Sequence, residues 1–413
     1  MSFHINDWLE RKGFEHHPFG DYVAERDKNL KEETFIQFPY YTKIEQSDRP
    51  IFLFLKRGMG KSANRFILER RLEVQESIAY PVEIDICVPY TDFFNLFQKD
   101  VVKAEHHIEN ILIKVVSKLY YVATNTDRIE SIRKLTEKDR EDFISFLKKY
   151  SDCLNDSSLK GQIITVAEKQ QWNKDHIKEL SQLGVNVIKD VLKIPIVGDN
   201  SFIKALSLLF DVASPKDINV GLPGVSHSHI LLIERLGKIA KSLKIKNVII
   251  LVDGVDEFAK PKDFPRVANI LKPLVEVSKL FEIEPYSFKF FIPYEIYNDL
   301  KDSIREDRFE SEFGEEWHPD QLKDLIEKRL DCNCKRDMFD SNARKNFLRL
   351  FRDEDRSLDI VNQIVNLADK SPRKLIRICK MIIDEHTSLS PIPDDISKET
   401  FDKAMNKFKQ RNL

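Results

Sequence analysis

Glycine is scarce in this chain, with 12 in 413 residues, a composition that favours helices joined by short turns. Net charge is almost absent: 66 Lys plus Arg stand against 68 Asp plus Glu, for −2. That balance gives no general electrostatic case for coating a nucleic acid, although a local basic patch stays open. The five cysteines are scattered at 87, 153, 332, 334 and 379. Only Cys332 and Cys334 are close, and neither a nearby His nor a second Cys pair completes a zinc set. No run approaches the roughly 18 uncharged apolar residues that suggest a membrane span. The start, Met1-Ser2-Phe3-His4, lacks the basic and apolar regions of a signal peptide. No repeat of solenoid length is visible. A cytoplasmic protein with reduced thiols and no membrane contact is expected.

What is present is a chain with 42% hydrophobic and 32% charged residues, long enough for two or three domains that each bury a core. It is organised around Ile51-Phe52-Leu53-Phe54-Leu55 followed by Lys56-Arg57-Gly58-Met59-Gly60-Lys61-Ser62. A buried strand running into a glycine turn and then a helix is the physical form of a phosphate-binding loop. Glycines let the backbone curl with its N–H groups inward, and the helix start adds positive potential. Lys61 supplies a point charge to the outer phosphates and the Ser62 hydroxyl a ligand for Mg²⁺. The loop departs from the usual G-x-x-x-x-G-K-[ST] spacing at one place, where Leu55 stands for the first glycine.

Five regions follow from patterning. Residues 1–49 are a lead-in, with a short helix near Trp8, the pair His16-His17, then Pro18-Phe19, and a helix expected from Tyr22 to Glu33. The two histidines are read as a solvated pair, because adjacent side chains diverge and no third ligand is evident. Residues 50–123 hold the loop, a helix bearing Arg65, Arg70 and Arg71, a second strand at 82–87 and an amphipathic helix at 102–123. Residues 124–224 are charged, helical in pattern and without a chemical motif, and are read as an inserted helical module. They contain helices over 127–150 and 160–192 and a break at Gly221-Leu222-Pro223-Gly224. Residues 225–317 carry a helix, the buried strand Val248-Ile249-Ile250-Leu251-Val252, a helix near 264–280, a fourth strand ended by Pro293 and a short fifth around 309–313. Residues 318–413 read as helices only, with Pro372 at a helix start where its missing N–H costs nothing. The fold class expected is α/β, a P-loop parallel sheet with flanking helices, a helical insertion and an all-helical lid.

The chemistry rests on pairing the loop with Asp253-Gly254-Val255-Asp256-Glu257. A nucleoside triphosphatase needs an acid at the tip of a strand beside the loop strand to hold Mg²⁺, and Asp253 is placed for it. It also needs a carboxylate to orient or deprotonate the attacking water, for which Asp256 and Glu257 are candidates. Gly254 lets the backbone pass close to the phosphates.

These two stretches resemble the Walker A and Walker B motifs of AAA+/STAND-type P-loop ATPases, near bacterial ATPases with origin-recognition-like features. The resemblance extends to His17-Pro18-Phe19 with Ala24-Glu25-Arg26-Asp27, similar to a lead-in that packs near adenine. It also extends to Trp317-His318-Pro319 with Arg329-Leu330, similar to a lid start, and to Ser371-Pro372-Arg373, similar to a sensor 2 helix. It implies ATP and Mg²⁺ as cofactors, with Pro18, Phe19, Arg57, Gly58, Met59, Gly60, Lys61, Ser62 and Ala63 around the nucleotide. Ser62 and Asp253 would hold the metal, while Asp256, Glu257 and Arg373 would be catalytic. Ile292-Pro293-Tyr294 fills the usually polar sensor 1 position, which points to slow hydrolysis. Arg305 and Arg308 are either a finger for a neighbouring subunit or plain surface arginines. The implied role is a switch ATPase acting through a separately encoded partner or effector, as a homo-oligomer or hetero-complex. Bacterial stress or anti-phage defence is its implied setting. A DNA-associated initiator or loader and a nucleotide-binding scaffold without turnover are the alternatives.

Overall fold

The computed structural model describes residues 2–76, 83–91, 102–124, 135–150, 225–257 and 263–411. Five strands, β1 (Ile51–Leu55), β2 (Ile84–Tyr90), β3 (Ile245–Val252), β4 (Tyr286–Pro293) and β5 (Glu310–Phe313), form one sheet. Its order is β2-β3-β4-β1-β5, and every neighbouring pair is parallel. Along the chain the helices are α1 (Ser2–Arg11), α2 (Pro39–Gln46), α3 (Lys61–Glu76), α4 (Ala104–Thr124), α5 (Glu137–Lys149), α6 (Val225–Ser242) and α7 (Phe264–Val275). After β4 come α8 (Tyr297–Leu300) and, beyond β5, α9 (Pro319–Asn333), α10 (Ser341–Lys345), α11 (Ile360–Ala368), α12 (Pro372–Thr387) and α13 (Lys398–Arg411). The predicted helices over 160–192 and the break at 221–224 lie outside the described residues, as does the first part of the helix expected at 127–150.

The strands are apolar at successive positions because both faces of the sheet are covered, as parallel sheets require. Successive side chains in a strand point to opposite faces. Phe52 and Phe54 therefore join Ile86, Val88, Val248, Ile250, Phe288 and Phe290 in one core with α4, α5, α6 and α7. Ile51, Leu53 and Leu55 join Leu251 and Phe291 in the other, with the lead-in, α3 and the C-terminal helices. The first part of the inserted region, α5, contributes Phe143, Phe146 and Leu147 to the first core, and Asp142 pairs with Arg235 of α6.

The lead-in and the C-terminal helices are packed as one body on the second face. Trp8 of α1 is fully buried, donates from Nε1 to the Asp394 carbonyl at 2.8 Å and sits against the His386 ring of α12. The helix expected over 22–33 is not formed; the segment is turns ending in a 3₁₀ turn at Glu32–Thr34. Its short polar side chains bond their own backbone instead. Asp21 accepts from the Tyr22 and Val23 N–H groups, and Asp27 from the Asn29 N–H at 3.0 Å. Such local bonds compete with helix formation.

Lys289 of β4 is an anomaly in this interior: it is 2% exposed and donates to the Ser47 carbonyl. Burial lowers its pKa from 10.5 to about 8, against the opposing pull of Asp48 and Glu310. The unfolded chain then holds more protons than the folded one between those two values, so the Lys289 contribution to stability rises with pH across that window. Relative to Lys289→Met, the unfolding free energy of the native chain is expected to gain up to about 3 kcal/mol between pH 8 and 10.5. Urea titrations at fixed pH measure this, and a difference that stays flat contradicts it.

Candidate functional site

The loop after β1 turns through Gly58 (φ 86°) and Gly60 (φ 101°), conformations that residues with a Cβ rarely adopt. It closes with Met59 N–H on the Lys56 carbonyl and enters α3 with Asn64 N–H on the Gly60 carbonyl. Arg57, Gly58, Gly60, Lys61, Ser62 and Ala63 line one wall of a cleft. Asp253, Gly254, Asp256 and Glu257, just past the end of β3, form the opposite side, and Arg373 with Pro372 enters from the first turn of α12. The structure thus brings together three stretches that are far apart in the chain.

The sequence places Asp253 on a strand beside the loop strand, but the sheet does not: β4 lies between β3 and β1. The gap is bridged by α3, which packs across β4 and β2 and carries its first turns toward the β3 tip. Ser62 stands beside Asp253, which is fully buried. Burial pushes the Asp253 carboxyl upward, while Arg65, the Gly254 N–H and Ser62 hold it down. Asp256, 6% exposed, faces two cations, with Lys61 Nζ at 3.8 Å and Arg57 Nε at 3.7 Å. Glu257 is pushed up by burial and by Asp253, Glu25 and Asp256, with Arg373 pulling it down. A carboxylate with a raised pKa beside a cation suits proton acceptance near neutral pH.

Leu55 is reconciled with the loop by a glycine elsewhere. It is the last residue of β1 and is buried, and a Cβ on Gly314, just past β5, would lie 1.8 Å from Leu55 Cδ2. Gly314 also donates its N–H to the Phe54 carbonyl. The absence of a Cβ at Gly314 thus leaves room for the Leu55 side chain beside the loop.

Three predicted contacts fall elsewhere. Phe19 is fully buried and meets Phe347 edge to face at 6.0 Å, inside the core joining the lead-in and the C-terminal helices. The Pro18 carbonyl accepts from Asn29 and Arg329, and neither Pro18 nor Phe19 is among the residues lining the cleft. Tyr22, Ala24, Asp27 and Leu30 line that end instead, with Arg329 and Ile376. Met59 turns away from the cleft and its carbonyl takes the Trp317 Nε1–H at 3.2 Å. Asp27 and Arg329 form a buried ion pair between the lead-in and α9. The sequence names both residues in separate stretches but not their pairing, because nothing local marks the partnership.

The stretch from Glu316 through the start of α12 is fastened to the loop on several sides. Glu316 bridges Lys56 at 2.8 Å and Lys370, and these two lysines, Lys370 first, pull its carboxyl down to about 2. The Ser371 Oγ caps α12 by accepting from Lys374 N–H and lies 3.1 Å from where a Gly58 Cβ would stand. Ile292, where the resemblance would place sensor 1, is buried, and Glu295, three residues further, is the polar group that reaches the loop, 3.4 Å from Arg57 N. Arg305 pairs with Asp307, and Arg308 with Glu282 and Asp307, so both are held in local surface pairs. The basic cluster on α3 is also engaged. Arg65 meets three carboxylates, Arg70 donates to the Leu30 carbonyl and Arg71 pairs with Glu32 and Glu45.

Among the described residues no group of three or more His, Cys, Asp or Glu forms a metal cage, and no helix is long and apolar enough to cross a membrane. One hydroxyl and one carboxylate side by side, under a glycine cradle with a buried lysine, instead fit a Mg²⁺ whose other ligands come from phosphates and water. Comparison with protein-family models, curated proteins and solved structures finds no match for this chain.

Gly314→Ala is expected to destabilise the fold by about 1–3 kcal/mol through overpacking against Leu55. In a Leu55→Ala background the same change should cost clearly less, as a double-mutant cycle in urea would record. Equal costs in both backgrounds would show that the two residues are not coupled.

Proposed function

We propose that this chain is a P-loop switch ATPase that binds Mg²⁺ and ATP, hydrolyses ATP slowly, and acts through partner proteins or self-assembly. The observation that carries this reading is the convergence of Lys61, Ser62, Asp253, Glu257 and Arg373 on one cleft. The preference for ATP over other nucleoside triphosphates rests on the resemblance of the two motifs.

Each role follows from position. Backbone N–H groups of the 58–62 turn and the Lys61 ammonium hold the phosphates, aided by the α3 N-terminus. Asp256 now neutralises Lys61 and Arg57. A phosphate anion is the better partner for both cations, so its arrival releases Asp256. Ser62 and Asp253 would hold Mg²⁺, which would supply charge neutralisation on the phosphates. Glu257 accepts the proton of the attacking water, its charge balanced by Arg373. Arg373 sits in the first turn of a helix fastened to the loop, so a contact with the outer phosphate sets the lid angle. Loss of that phosphate removes a contact made in one lid position only, which is the requirement for a population shift. The pairing of Arg65, Arg70 and Arg71 with acids and backbone leaves the DNA-loader alternative without its basic patch on α3.

Lys61→Ala is expected to abolish nucleotide binding. Glu257→Gln should keep binding while lowering turnover about 10²–10⁴-fold, the usual loss for a general base. Equilibrium binding and phosphate release measure the two. Equal loss of binding in both variants contradicts the roles, and a release rate unchanged by both removes the ATPase reading in favour of a scaffold.

A further inference from the structure

We propose that Arg65 is a positioning residue for Asp253, and that through Glu25 it fastens the lead-in loop to the same carboxylate; the inference rests on the nucleotide reading above. The helix period explains how it comes to be there. Ser62 and Arg65 are three residues apart on α3 and so share a face, and both meet Asp253, the Ser62 hydroxyl from one side and Arg65 Nε at 3.3 Å from Oδ2. One helix face thereby presents a metal-ligand hydroxyl and a guanidinium to a single acid.

The guanidinium has no freedom of its own. Nη1 is held by Glu69 of the next turn at 2.5 Å and Nη2 by Glu25 of the lead-in at 2.9 Å, and Arg65 is 4% exposed. A planar fork tied at all three nitrogens fixes the torsion of the Asp253 carboxylate in a way that a flexible lysine cannot. Groups that orient a metal-binding carboxylate typically change metal affinity when altered, even without touching the metal. Glu25 belongs to the segment whose Tyr22, Ala24 and Asp27 line the cleft, so the metal side of the site and its lead-in wall are joined through one side chain.

The test is a titration of Mg²⁺ against affinity for a slowly hydrolysed ATP analogue, with an EDTA reference. Arg65→Lys keeps the positive charge that three carboxylates require, and Arg65→Gln provides a second variant with donors but no charge. Both should retain the affinity measured in EDTA and need roughly 10-fold or more Mg²⁺ for half-maximal tightening. Glu25→Gln, which weakens only one of the three ties, should shift the Mg²⁺ midpoint less than either Arg65 variant while speeding amide exchange over residues 22–30. The inference is overturned if both Arg65 variants keep the wild-type midpoint, if they lose EDTA and Mg²⁺ affinity equally, or if Glu25→Gln shifts the midpoint as far. Should the wild-type chain show no Mg²⁺-dependent tightening, the nucleotide reading itself falls.

Discussion

Two buried carboxylates past the end of β3 impose the constraint on which the rest of this molecule depends. Asp253 and Asp256 are 2% and 6% exposed, and an isolated charge in such a place costs several kcal/mol. Each is kept by cations that come from the loop side of the cleft. Asp253 is met by Arg65, and Asp256 by Lys61 and Arg57. With β4 between the two strands, Arg65 reaches Asp253 from α3, while Lys61 and Arg57 reach Asp256 from the start of α3 and the loop before it.

The lead-in and the C-terminal helices share one core. The second sheet face gathers Trp8, Phe14, Phe19 and Phe38 from the lead-in with Leu322, Ile364, Ile378 and Phe401 from the C-terminal helices. Polar ties run in parallel with this packing, Glu25 to the core through Arg65 and Asp27 to α9 through Arg329. A short segment of turns thus holds both sides of the cleft. In these turns Glu25 pairs with Arg65 and Asp27 with Arg329.

Much of this was legible from local pattern. The strand–loop–helix at 51–62, the acid-tipped strand ending at Val252 and the proline-started helix at 372 each carry their own signal, because buried parallel strands and helix caps are encoded by neighbours in sequence. What escaped depends on partners far away in the chain. The Arg65–Asp253 contact joins residues 188 apart and Arg329–Asp27 residues 302 apart, and neither leaves a trace in periodicity. Gly314 explains Leu55, yet only strand pairing puts the two in contact. Phe19 read as an aromatic wall for a base, but apolar character alone does not separate a cleft wall from a core, and here it is core. The turns at 22–33 read as helix because their charged residues have fair helix propensity, which Asp21 and Asp27 override through local bonds.

The central claim is that the 57–63 loop, the 253–257 acids and the start of α12 act as one phosphate-dependent unit. Amide hydrogen exchange with and without Mg²⁺ and ATP tests it most directly. The account predicts slowed exchange in all three stretches together, and in residues 22–30 beside them. Protection confined to other parts of the chain, or none at saturating ATP, would contradict it.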